Sequence, residues 1–133
     1  MKAWHDKLHC ERMPQIKMLD KDAAGMKAGM RMYISTPLEL DSRIRVIPSG
    51  ECVSVAHLRL ELAQPAGADV TCPLTTGIFL RIVAEAAWEA HVTGQSLDTV
   101  TPFWRVIEAA SPLARKFACP PDFIARMRSE ERP

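Results

Sequence analysis

The stretch from Thr75 to His91, TTGIFLRIVAEAAWEAH, limits what this chain can fold into more than any other. Ile78, Phe79, Ile82, Val83, Ala86, Ala87 and Ala90 recur at the three- and four-residue spacing of one helix face. Thr75 or Thr76 stands where an N-cap belongs, with a hydroxyl able to hold the first free amides. The small side chains of Ala84, Ala86, Ala87 and Ala90 allow close approach to another surface. Two readings fit this pattern. One is an ordinary buried helix carrying a solvated arginine, Arg81. The other is the second helix of a helix-turn-helix, the one that meets a nucleic acid.

The flanking segments fit a mainly α chain with short β pieces. Thr36-Pro37-Leu38-Glu39 places an N-cap threonine, a proline at the first helical position and a glutamate at the third, which is a capping box. Leu40, Ile44 and Ile47 follow at helical spacing, and Pro48-Ser49-Gly50 stops the helix. Cys52-Val53 is short and β-prone. Ser54 is expected to cap a second helix, Val55 to Leu62, with Leu58 and Leu62 inward. Gln64-Pro65-Ala66-Gly67 ends it, Asp69-Val70-Thr71 suits a brief strand, and Pro73 breaks the chain before the long helix. A short helix, a connection and a longer helix thus follow in helix-turn-helix order.

Beyond His91 the segment 93–99 is polar and loop-like, and the β-branched, aromatic run Val100–Ile107 predicts a strand entered through a turn at Pro102. A closing helix is expected from Asp122, its cap, to Glu130, with Arg126, Arg128 and Arg132 forming a solvated face or a phosphate-contacting edge. Residues 1–34 are expected to form an irregular N-terminal arm with a short strand near Arg31–Ile34, because Gly25 and Gly29 work against a long helix. Met26, Met30 and Met32 there can line a flexible contact surface or fill gaps. Residues 35–133 form the helical domain.

Charge and cysteine usage narrow the function classes. The formal net charge is +1, so no global basic field points to a polyanion. Residues 1–50 hold nine Lys/Arg against six Asp/Glu, a net of +3, whereas residues 51–133 hold eight against ten, a net of −2. A DNA contact in the second half would therefore rest on a few placed arginines and helix termini. Cys10, Cys52, Cys72 and Cys119 show no zinc spacing and are expected to be free thiols in a reducing compartment. Cys72, just before the long helix, is either a small buried residue or a thiol activated by the helix N-terminus. No apolar run reaches the ~18 residues of a membrane span, so a cytoplasmic protein without a membrane partner is expected.

Three segments carry a family resemblance. Val46-Ile47-Pro48-Ser49-Gly50-Glu51-Cys52-Val53-Ser54 resembles the V-P-x-G-x-V-x-S opening of the DNA-binding domain of O6-alkylguanine-DNA alkyltransferases. Leu80-Arg81-Ile82-Val83-Ala84-Glu85-Ala86 resembles the A-R-A-V-G-x-A of their recognition helix, and Pro102-Phe103-Trp104-Arg105-Val106-Ile107 resembles their P-C-H-R-V-[IV] active-site segment. The three occur in the family order and cover roughly residues 36–110. A small bacterial group with C-P-x-T-T-G-I-F and T-P-x-W-R segments, within the same superfamily, is similar as well. The resemblance implies a winged-helix fold bound to the minor groove of double-stranded DNA. It makes Arg81 the intercalating arginine that helps extrude a damaged guanine. It gives Thr75, Thr76 and Ser54 to DNA contacts, and it makes Phe103, Trp104 and Arg105 the base pocket, with Arg105 supporting the loop.

Departures from the family pattern decide the chemistry. Phe103 stands at the acceptor cysteine and Trp104 at the following histidine. Alkyl transfer needs a thiolate, so the resemblance implies a non-enzymatic alkyltransferase-like protein, needing no cofactor or metal. Such a protein binds alkylated DNA and passes it to a repair partner. The family's tyrosine falls at Val55, and the chain holds no asparagine for the family's hinge position. Glu85 and Glu89, read as the polar side of the long helix, would repel phosphate. They favour a rival reading, a protein-interaction or regulatory module that kept the fold without DNA binding.

Overall fold

The computed structural model of the chain describes residues 3–132. Its α-helices are α1 (Trp4–Leu8), α2 (Pro37–Arg45), α3 (Val55–Ala63), α4 (Pro73–Val92) and α5 (Pro121–Glu131). A small sheet of β1 (Gln15–Met18), β2 (Arg31–Ile34) and β3 (Val70–Thr71) accompanies them, so the fold is mainly α with short β.

The longest helix is the axis of the packing. α1, α2 and a single 3₁₀ turn at Phe103–Arg105 all lie against α4. Thr76, Phe79, Leu80, Val83, Ala84, Ala86 and Ala87 are buried along it. Burial on several sides turns the apolar face away from the one that spacing suggests. Leu80 is sealed in the core, whereas Ile78 stays 60% exposed. The helix also begins earlier than expected. Cys72 takes the N-cap position and Pro73 is the first helical residue, where its missing N–H costs nothing. Neither Thr75 nor Thr76 is the cap. The Thr76 hydroxyl donates to the Cys72 carbonyl at 2.6 Å, inside the first turn. At the far end the Thr93 hydroxyl donates to the carbonyls of Glu89 and Ala90, and Gly94 takes the left-handed conformation that ends the helix.

The two expected caps upstream both form. Thr36 Oγ1 accepts the Glu39 N–H at 3.1 Å, and Ser54 Oγ accepts the His57 N–H at 3.0 Å. The capping box is only half closed, because the Glu39 carboxylate turns to the hydroxyls of Tyr33 and Ser35 instead. β2 and β3 lie where the sequence places strands, paired in parallel, with β1 added antiparallel outside β2.

Three expectations are corrected. Residues 3–30 are more regular than an irregular arm, since α1 packs on α4 and β1 pairs with β2, while the short strand expected at Arg31–Ile34 forms as β2. Met26 and Met32 are buried with Cys72 in a small apolar cluster, so they fill space, whereas Met13 and Met18 face solvent. Val100–Ile107 forms no strand. Pro102 turns the chain into the 3₁₀ turn, and Phe103 and Trp104 are drawn into the core. The last helix is entered through Pro120 and Pro121, with no side-chain cap from Asp122.

The link from Ala63 to Pro73 contains β3 and is longer than the ~3–4-residue turn of a compact helix-turn-helix. α3 packs chiefly on β3 and β2, while α2 lies against α4.

Two stability outcomes follow from the caps and the sheet. Thr36→Ala is expected to lower the unfolding free energy by about 1 kcal/mol, read from urea titration. Burial, with the hydrogen bond to Glu39 and its charge, pushes the Tyr33 hydroxyl up from 10.0 to about 12. The raised value means that Tyr33 contributes stability fully below pH 10.0, lost as pH climbs toward about 12. Tyr33→Phe should remove that alkaline loss.

Candidate nucleic-acid interface

The first two turns of α4 are open on one side. Leu74 is 69% and Ile78 60% exposed, and a Cβ added at Gly77 would meet nothing within 4 Å. Together with Trp4 and Lys7 of α1, and with Pro73, Arg81, Ile82, Leu113 and Lys116, they line a groove of 690 Å³. Its lining contains three cations and no carboxylate.

Arg81 sits at the end of this groove, but it is not free. Its side chain is 41% exposed, its Nε lies 3.6 Å from the Glu85 carboxylate, and its guanidinium stacks on the Trp4 ring at 5.3 Å. Lys7 lies over the same ring at 4.3 Å, so Trp4 faces two cations. Glu85 does not lie on the polar side of the helix. It is 4% exposed and accepts the Ala118 N–H at 3.0 Å. Its charge is spent inside the protein, on Arg81 and a backbone amide, and it does not face a polyanion.

The remaining predicted contacts fall elsewhere. Ser54 is exposed, with its hydroxyl oxygen engaged in capping α3. The Thr75 hydroxyl is enclosed without a hydrogen-bond partner, and that of Thr76 is taken by Cys72. Neither is presented to a phosphate. Cys72 is buried against Met26 and Met32, not displayed as a nucleophile.

The three pocket residues separate. Phe103 is 1% exposed and packs its ring against Trp104, Phe117 and Phe123 at 5.5, 6.0 and 6.1 Å. It is part of the core and does not line the groove over α4. Trp104 and Arg105 do border a cleft of 520 Å³, with Arg45, Leu97, Asp98 and Glu131 among its other walls. No residue of α4 lines that cleft, so it is not shared with the Arg81 groove.

Arg105 is a structural tie. Its Nε and Nη2 donate to the two Glu131 oxygens at 2.9 and 2.7 Å, and its Nη1 donates to the Ile47 carbonyl at 2.7 Å. The Val53 N–H donates to the Arg105 carbonyl, and Arg128 donates to that of Trp104. Arg128 therefore leaves the solvated face assigned to it, while Arg126 remains exposed near Glu130. The forked bonds from Arg105 hold the Glu131 carboxyl below its ordinary value, against the opposing effect of burial. Sequence reasoning missed Glu131 and the groove residues Trp4, Lys7 and Lys116. The amphipathic spacing of Trp4, Lys7 and Leu8 was the one signal available for α1.

Cutting the fork should be costly, because both side chains are mostly buried. Arg105→Ala is expected to lower stability by about 3 kcal/mol. A carboxyl held low contributes stability above its ordinary value of 4.5, lost as pH falls through the depressed one. Glu131→Gln should thus be less stable than the parent at neutral pH and lose less on acidification, both read from urea midpoints. Thiol labelling offers a second check. Burial and the Glu85 charge push the Cys119 thiol up to about 11, so at neutral pH iodoacetamide should modify exposed Cys52 and spare Cys119.

No protein-family model, curated protein or solved structure matches this chain.

Proposed function

We propose that this chain is a non-enzymatic DNA-binding module of the winged-helix, alkyltransferase-like type, which lays the open side of α4 against duplex DNA. The carrying observation is the groove over the first turns of α4, where Lys7, Arg81 and Lys116 stand around apolar side chains with no carboxylate in the lining. Such a surface supplies placed positive charge despite a formal net charge of only +1. The segment resemblance supports the same helix as the DNA-facing element. Phe103 at the acceptor position offers no nucleophile, and its ring is enclosed by other aromatic rings. A flipped base would find that site filled, so binding is assigned to the duplex itself and not to an extruded alkylguanine.

Fluorescence anisotropy with a labelled duplex tests this. Binding is expected at low salt, weakening as salt rises with a log–log slope of about −3 if Lys7, Arg81 and Lys116 each meet one phosphate. Duplexes with and without O6-methylguanine should bind within about twofold of each other, since Phe103 fills the acceptor position and the cleft at Trp104 and Arg105 is not shared with the groove. Arg81→Ala should weaken binding more than Lys17→Ala, whose side chain is exposed on β1 and not part of the groove lining. Absence of binding at low salt overturns the proposal. The apolar character of Leu74 and Ile78 favours the competing reading, a groove for a protein helix. A partner recovered by pull-down, with no DNA affinity, would establish it.

A further inference from the structure

The resemblance makes Arg81 the residue that enters the base stack, but the geometry points to a different one. We propose that Ile78, backed by Leu74, is the wedge that enters a base step from the minor groove, and that Arg81, Lys7 and Lys116 hold the phosphates on either side. This rests on the DNA-binding reading of the same groove.

The argument starts from what each side chain is free to do. Arg81 is held between the Trp4 ring and the Glu85 carboxylate, and its Nε is buried. To intercalate, it would have to leave both and strand a carboxylate that is 4% exposed. Ile78 has no such ties. It is 60% exposed on the third residue before Arg81 and the fourth after Leu74, so the three lie on one helix face. Its branched side chain is stiff at χ1, which makes it a preformed wedge with little rotamer freedom to lose. Gly77 beside it has open space in place of a side chain, so a sugar–phosphate strand can come close to the helix backbone. Apolar wedges flanked by cations are how minor-groove proteins unstack and kink a step. The charge of the groove lining complements a polyanion: its three charged residues are Lys7, Arg81 and Lys116, of which Arg81 is paired with Glu85 outside the lining.

The test uses the whole chain and a short duplex carrying 2-aminopurine at a central TA step, end-labelled for energy transfer. Wild type should raise 2-aminopurine fluorescence and shorten the end-to-end distance on binding. Ile78→Ala should lose both signals while binding falls by no more than about tenfold and the salt slope is unchanged. Lys116→Gln should do the reverse, keeping the kink and reducing the slope by about 1. Leu38→Ala, an exposed apolar change on α2, should alter neither. If wild type binds without a kink, or Ile78→Ala kinks like wild type, the wedge is wrong and the DNA reading survives. If wild type fails to bind the duplex at low salt, or binds a glutamate-rich amphipathic peptide in its place, the DNA reading itself falls.

Discussion

Everything in this fold leans on one helix. α4 receives α1 and α2, and the 3₁₀ turn at Phe103–Arg105 also packs on it. The side chains it gives to them are small or close-fitting, from Phe79 and Leu80 through Val83 to Ala87. Such packing depends on shape as much as on apolar area, since interiors are close-packed and tolerate few voids. A helix enclosed this way has little surface left for recognition. Its first two turns keep some, where Leu74 and Ile78 meet solvent. The location of the candidate interface is thus a by-product of how the rest of the helix is covered.

The second constraint is ionic. Arg105 joins the end of α2, through the Ile47 carbonyl, to the end of α5, through Glu131, and its own carbonyl receives Val53. Gly50 lies against the same helix end: its φ is +89°, and a Cβ there would come within 3.2 Å of the Glu131 carbonyl oxygen. Glycine is required at this turn for both reasons. A buried pair of this kind adds less net stability than its geometry suggests, because both charges leave water. It does fix how the segment after α2, the turn at Phe103–Arg105 and the end of α5 meet.

Local chemistry was legible in the sequence and tertiary competition was not. The caps at Thr36 and Ser54 depend on neighbours within three residues, and both form. The strands at Arg31–Ile34 and Val70–Thr71 were also visible. Phe103 and Trp104 misled because aromatic, β-branched runs suit a strand only where a partner strand exists, and here the core took the rings first. Glu85 misled because helical spacing does not reveal which face a second layer will cover. The N-cap threonines misled because Pro73, read as a breaker, is also a favoured first residue. Arg81 was singled out in the sequence, but the side chains that hold it, Trp4 and Glu85, were not: one lies far off in sequence and the other was assigned to solvent.

The outer ribbon has a consequence of its own. All four residues of β1 are exposed, and Met13 and Met18 stand 80% and 71% open, while Met26 and Met32 are sealed beneath the sheet. Thioethers convert to sulfoxides according to access. Among these four methionines, peroxide is expected to convert the two open thioethers, Met13 and Met18, before the buried pair Met26 and Met32.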